Sequence, residues 1–258
     1  MANCTTSRLP SLHERLEQIQ QVFTQDLGPM TSTQYDPARG GQYSRDRQEQ
    51  RRRWDSLCVL LDMWLERAIP LSAELDAAAL ALATFPDDVR IAPDHWFMEV
   101  AYSEWLDTWT AWTVRVGSVT RILEPPHPAW KLVRMIVLQH ELSDALIQEA
   151  FCAFPGMTHI CGLVLIRMPD HLMLDEHFFQ RLIGSSGFKS LHYLRSVGHS
   201  LNDRVLEFLA GWPGADQLMM LELDTSTFST RAIQALVTSP HLRALEVLRL
   251  NAVTIPLP

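Results

Sequence analysis

The chain has 258 residues, 47% of them hydrophobic and 20% charged, and its formal net charge is −8. This length allows one large domain or two ordinary ones, and the apolar content excludes wholesale disorder. The acidic balance argues against general nucleic-acid binding, which needs a positive field. No apolar run approaches a membrane span, the N-terminus shows no secretory signal, and the four cysteines form no CxxC pair. We therefore expect a cytoplasmic globular protein with no membrane partner, and the strong preference for arginine over lysine suggests a bacterial source with a GC-rich genome.

Helical periodicity dominates residues 1–112. Apolar residues three and four positions apart predict helices over 9–27 and 44–68, and a third helix over 72–85 ends before a proline. The other predicted elements are an exposed turn-rich loop at about 28–43, a fourth helix from about 94, and extended segments at 113–116 and 119–122. We expect this helical region to cap the domain that follows, with its first helix as a candidate surface for oligomerisation.

An internal repeat occupies residues 113–258. The spacing L-x-x-L-x-L recurs in one register, with small departures, and its five copies start at 133, 160, 191, 218 and 245. Five residues before four of these starts stands a proline: Pro128, Pro155, Pro213 and Pro240. Between each strand and the next proline, a polar pair precedes apolar residues at helical spacing, which predicts a short capped helix. The repeating unit is therefore a strand, a turn, a helix and a proline-marked turn.

This unit resembles the leucine-rich repeat family, in its helix-containing type with repeats of about 27 residues, over residues 119–258. The resemblance implies an α/β solenoid with a parallel sheet on its concave face and helices on its convex face. The chain departs from the family at the ninth repeat position, where asparagine or cysteine is usual. That position holds Glu141, Met168, His199, Ser226 and Val253.

Strand alternation assigns a face of the sheet to each repeat position. Positions 3, 5 and 7 should project from the concave face, while the leucines point into the core. The candidate partner-binding residues on these rows are Met135, Val137, Tyr193, Arg195, Met220, Glu222, Asp224, Val247 and Arg249. Methionine and tyrosine are typical of protein-binding strips, although the charged members of these rows would also fit a simple surface ladder of ion pairs. With this register we expect Leu221→Ala to cost about 2–5 kcal/mol, and Glu222→Ala about 0–1 kcal/mol as an exposed charge.

The leading functional hypothesis is a non-catalytic interaction protein that binds a protein partner through the concave face. No phosphate-binding loop, dinucleotide fingerprint or nucleophile elbow occurs in the sequence, so we expect no catalytic residue, cofactor or metal. The alternative is a small enzyme or metal-dependent effector with a site at the junction of the two regions. The residues considered for that site are His159, His171, His177 and His199.

A basic run, Arg51–Arg53 beside Trp54, is a second candidate site. It could form a nucleic-acid patch next to a stacking aromatic ring. Acidic residues stand close by at Asp46, Glu49 and Asp55. We therefore favour a solvated helix face and expect no nucleic-acid partner.

Overall fold

The chain divides into two units, residues 1–89 and 90–258. The computed structural model describes residues 8–26, 35–36, 41–42, 45–93, 127–138, 158–166, 176–184, 190–198, 201–224, 227–251 and 253–254. The predicted domain boundary at 112/113 lies outside these residues. So do the predicted helix from about 94 and the predicted extended segments at 113–116 and 119–122.

The first unit contains three helices among its described residues: α1 (Leu12–Thr24), α2 (Arg45–Glu66) and α3 (Ser72–Ala81). A 3₁₀ turn, Asp87–Val89, follows them. The three predicted helices are confirmed, each with fewer residues than the periodicity indicated. At the start of α1 the reason is a capping box, in which Ser11 and Glu14 each accept a hydrogen bond from the other's backbone N–H.

Helix α2 ends in a left-handed turn at Ala68, whose φ is 53°. The Ala68 N–H donates to the Leu65 carbonyl, and the Ile69 N–H donates to the Trp64 carbonyl. These two bonds form a Schellman motif, which usually has glycine at the left-handed position. The turn ends the helix before residue 68, although the apolar spacing continues to that point.

The predicted apolar stripe of α2 forms the core of the first unit. Trp54, Leu57, Leu61 and Trp64 are each 0% exposed. The stripe predicted for α1 is buried less completely, since Ile19 is 2% exposed but Leu12 is 45% exposed. The apolar beginning of α1 therefore remains on the surface.

The region predicted as a loop at about 28–43 contains a small antiparallel pair, β1 (Tyr35–Asp36) and β2 (Gly41–Gln42). The rest of that region lies outside the described residues. The sequence does not predict this pair, because two-residue strands are too short to show alternation.

The second unit is built on a five-stranded parallel sheet in chain order. Its strands are β3 (Met135–Leu138), β4 (Gly162–Ile166), β5 (Tyr193–Val197), β6 (Met220–Asp224) and β7 (Val247–Asn251). Each residue pairs with the residue at the same repeat position on the next strand. Position 3, for example, forms the row Met135, Gly162, Tyr193, Met220 and Val247. The predicted register is confirmed.

Helices follow three of these strands among the described residues: α4 (Glu176–Gly184), α5 (Asp203–Gly211) and α6 (Thr230–Val237). The predicted caps of the last two are present, since Asn202 accepts from the Val205 N–H at 3.1 Å and Ser229 accepts from the Ala232 N–H at 3.2 Å. The helix predicted after β3 lies outside the described residues. No helix in the described part of the chain is long and apolar enough to cross a membrane.

The periodic prolines start 3₁₀ turns in two repeats. Pro128–Leu132 and Pro213–Gln217 each begin with proline at the first helical position, where the missing N–H has no partner to lose. Each turn ends directly before repeat position 1, which Val133 and Leu218 occupy. The prolines therefore fix the entry into the sheet.

A regular series of backbone hydrogen bonds joins the strands and reveals one more row. The carbonyl at repeat position 2 accepts two N–H donors from the next strand, as the Cys161 carbonyl does from His192 at 2.7 Å and Tyr193 at 3.1 Å. The acceptors of this series are the carbonyls of Arg90, Arg134, Cys161, His192 and Met219. Ile91 also forms a parallel bridge with Met135. Residues 90–92 thus extend the sheet before the first predicted repeat, which the leucine pattern missed because Ala92 occupies a leucine position.

Candidate interaction surface

A set of polar side chains crosses β5, β6 and β7 on the face opposite the leucines. We call it the polar network, and its members are Tyr193, Arg195, Glu222, Asp224, Arg249 and Asn251. Glu222 lies at its centre, where its carboxylate accepts from the Tyr193 hydroxyl at 3.2 Å and from Arg249 Nη1 at 2.7 Å. The Arg195 Nε lies 3.6 Å from the same carboxylate. The parallel register creates this arrangement, because each repeat position lies beside the same position on the next strand. The position-5 residues of the three strands are therefore neighbours, and the position-3 residue Tyr193 lies close to them.

Asp224 anchors the second half of the polar network. Its Oδ2 accepts from Arg195 Nε at 2.9 Å, and its Oδ1 accepts from Asn251 Nδ2 at 2.6 Å. Asn251 was absent from the predicted partner-binding set. The sequence could have indicated Asn251, because it occupies repeat position 7, the same position that Asp224 occupies on the neighbouring strand.

The polar network balances two positive charges against two negative ones in a largely buried setting. The Arg195 side chain is 3% exposed and that of Glu222 is 1% exposed. Burial alone lowers the pKa of Arg195, but its hydrogen bond with Asp224 and the attraction of Asp224, Tyr193 and Glu222 raise that pKa above its ordinary value. Arg195 therefore stays charged and holds both carboxylates.

Burial overturns the expectation that Glu222 is exposed, and it divides the predicted partner-binding residues into buried and accessible groups. Glu222 is not an exposed charge, and the interpretation of row 5 as a weak surface ladder is wrong for its two buried members. Both flanking strands contribute side chains that contact Glu222, Tyr193 and Arg195 from β5 and Arg249 from β7, which strand alternation alone does not reveal. The buried members of the predicted set are Met135, Tyr193, Arg195, Glu222 and Asp224. Their predicted role in direct contact with a partner is untested.

The remaining predicted residues keep accessible surface. Val137, Met220 and Val247 are partly exposed, and the Arg249 side chain is 45% exposed. Three of the four lie on β6 and β7, next to exposed Asn251. We call Met220, Val247, Arg249 and Asn251 the open face.

Glycine interrupts row 3 beside the first strand. A Cβ at Gly162 would come within 3.0 Å of Met135 Cε, closer than ordinary van der Waals contact. The methionine side chain therefore lies over the glycine, and Met135 itself is 1% exposed. This part of the row serves packing between β3 and β4.

The basic run on α2 makes contacts within its own unit. Arg51 pairs with Asp55 at 3.0 Å and donates to the Val89 carbonyl at 3.2 Å, while Arg53 pairs with Glu49 and donates to the Phe23 carbonyl. These partners are consistent with the helix-face interpretation. The absence of a nucleic-acid partner remains a prediction.

Two of the four histidines proposed for the alternative site fall within the described residues. His159 and His177 are both exposed. Partial desolvation of the His159 ring, together with the positive charges of Arg134 and Lys131, lowers the pKa of His159. His171 and His199 lie outside the described residues.

The two described cysteines, Cys58 and Cys161, are both buried. Burial raises the pKa of the Cys58 thiol well above its ordinary value, which keeps it protonated and unreactive. The Cys161 sulfur lies 3.5 Å from the Arg134 carbonyl. Cys58 therefore behaves as a small apolar core residue.

Comparison with known proteins returned no relative. No protein-family model, no curated protein and no solved structure matches this chain.

Proposed function

We propose that this protein is a non-catalytic interaction protein, built on a leucine-rich-repeat solenoid, whose open face binds a partner protein. The observation that carries the proposal is the polar network, in which two buried carboxylates hold two of the four side chains of the open face, Arg249 and Asn251. Glu222 holds Arg249 at 2.7 Å and Asp224 holds Asn251 at 2.6 Å. The partner is a protein surface with an apolar area for Met220 and Val247 and an acceptor for Arg249.

Preorganisation is the physical advantage of this arrangement. An arginine that is free in solution loses rotamer entropy when a partner orders it. Because Glu222 is 1% exposed and already orients the guanidinium, Arg249 would lose less entropy on binding. Arginine and methionine are also enriched in protein interfaces. The open face thus combines an ordered charged anchor with adaptable apolar contacts.

Three features support assignment to the leucine-rich repeat type. The strands are parallel and in chain order, their residues pair at equal repeat positions, and helices follow β5 and β6 at the predicted positions. The missing asparagine at the ninth position predicts weaker satisfaction of turn backbone groups than in a regular array. The proposed array is therefore short and irregular.

A capture experiment with paired variants tests the proposal. The wild-type chain would be immobilised and exposed to an extract of its source organism, beside Val247→Asp and Val237→Asp. Val237 lies on α6 and is 62% exposed, so its substitution adds the same charge away from the sheet. We expect one protein to be retained by the wild type and by Val237→Asp and to be lost with Val247→Asp, because a buried unpaired carboxylate disrupts an interface.

Equal retention by all three proteins would contradict the proposal. Metal analysis of protein purified without chelator addresses the alternative function. Stoichiometric zinc or iron would favour a metal-dependent effector over a pure interaction protein.

A further inference from the structure

The outer edge of β7 has the same arrangement of backbone hydrogen-bonding groups that pairs with the next strand elsewhere in the sheet. Each position-2 carbonyl from Arg90 to Met219 accepts two N–H donors from the following strand. The next member of the series is the Glu246 carbonyl, which accepts no hydrogen bond from any residue in the described ranges. Alternate residues of a parallel strand face opposite neighbours. Since the Val247 N–H bonds to β6, the backbone groups of Leu248 and Leu250 point to the outer edge.

The side chains of β7 are also less covered than those of the inner strands. Leu221 and Leu223 on β6 are each 0% exposed, while Leu250 in the same row as Leu223 is 39% exposed. Leu248 is partly exposed. The outer edge therefore offers apolar surface beside its backbone groups.

The charged residues at repeat position 5 indicate which kind of strand can pair with this edge. Row 5 alternates as Arg195, Glu222 and Arg249, and Glu222 contacts Arg249 at 2.7 Å while lying 3.6 Å from Arg195. A strand added outside β7 places its own row-5 residue beside Arg249, whose fork of donors can accommodate a second carboxylate. A second copy paired antiparallel about Arg249 would instead oppose two arginines, which is unfavourable.

We propose that the outer edge of β7 is a docking site for an extended segment of a partner protein that carries a carboxylate beside Arg249 and apolar residues beside Leu248 and Leu250. The segment adds as a further strand, so that main-chain hydrogen bonds supply affinity and the charge supplies selectivity. This site shares Arg249 with the open face but lies along the edge of the sheet, and it does not depend on the proposed function.

The test uses the full chain and two synthetic peptides, Ser-Thr-Val-Glu-Val-Thr-Ser and the same peptide with lysine for glutamate. Amide hydrogen exchange would be followed by NMR at saturating peptide. We expect the Leu248 and Leu250 amides to be protected, and the glutamate peptide to bind about fivefold more tightly than the lysine peptide, as for a cross-strand charge pair. With Arg249→Gln, which removes the charge, the preference should disappear.

A pair of proline variants tests the edge without relying on charge. Leu250→Pro removes an N–H that points outward, so the melting temperature should change little while peptide binding is lost. Arg249→Pro removes an N–H that faces β6, so the melting temperature should fall. If Leu250→Pro leaves peptide binding unchanged, the proposal is wrong.

Three further results would also overturn the proposal. Leu248 and Leu250 amides that are already protected in the free protein would show that the chain covers its own edge. Protection that increases with protein concentration would identify a second copy as the occupant. Peptide binding without charge preference would remove the role of Arg249. Because no natural partner enters this test, its failure is distinct from failure of the capture experiment.

Discussion

Replacing Glu222 with alanine should strongly destabilise the second unit, because this carboxylate is the centre of a buried polar network. The Glu222 side chain is 1% exposed and contacts Tyr193 at 3.2 Å and Arg249 at 2.7 Å. Its removal leaves a buried phenol without this acceptor and leaves Arg195 with Asp224 as its remaining carboxylate in the network. The expected effect is therefore much larger than for an exposed charge.

The magnitude follows from the surroundings of the lost carboxylate. Breaking a fully buried ion pair costs about 3–5 kcal/mol. Two features reduce this figure here, since the Arg249 side chain is 45% exposed and Arg195 keeps its bond to Asp224 at 2.9 Å. We expect Glu222→Ala to lower the free energy of unfolding by about 2–4 kcal/mol, with Glu222→Gln intermediate because it retains volume and an acceptor oxygen.

Urea unfolding followed by circular dichroism measures this change. Two matched variants belong in the series: Leu221→Ala, which should cost about 2–5 kcal/mol by creating a core cavity, and Arg249→Ala, which should cost about 1 kcal/mol or less as a half-exposed charge. High salt should hardly alter the cost of Glu222→Ala, because screening acts mainly on exposed charges. A loss below about 1 kcal/mol for Glu222→Ala, beside a large loss for Leu221→Ala, would mean that the carboxylate is solvated and would refute this reasoning.

Three other substitutions test local features by thermal or urea melts. Ser196→Ala should raise the free energy of unfolding by about 1 kcal/mol, because the Ser196 hydroxyl is buried without a hydrogen-bond partner among the described residues; a loss of stability would reveal a hidden partner. Ala68→Gly should stabilise the first unit by about 0.5–1 kcal/mol, because φ at Ala68 is 53° and glycine adopts that conformation without strain; an unchanged melt would contradict the left-handed turn. Asn202→Ala should cost about 1 kcal/mol by removing the cap of α5, whereas Asn202→Asp should retain most of the stability.

The register of the sheet was determined by the sequence because repeat architectures depend on contacts between neighbouring repeats. A local pattern that recurs with nearly constant spacing therefore places equal positions side by side. Leu194, Leu221 and Leu248 pair across three strands as the leucine spacing predicts. The caps at Asn202 and Ser229 were also predictable, since a cap involves residues three positions apart along the chain.

Burial on the opposite face was decided by the tertiary structure. Alternation correctly predicted that Glu222 faces away from the leucines, but it could not show that Tyr193, Arg195 and Arg249 would surround the carboxylate. The sequence does not show whether a polar side chain forms its hydrogen bonds with neighbouring side chains or with water. Exposure depends on side chains about 27 residues away along the chain, and their contacts exist only once the strands stand about 4.8 Å apart. The accessible part of the face and the outer edge of β7 were consequently visible only in the folded protein.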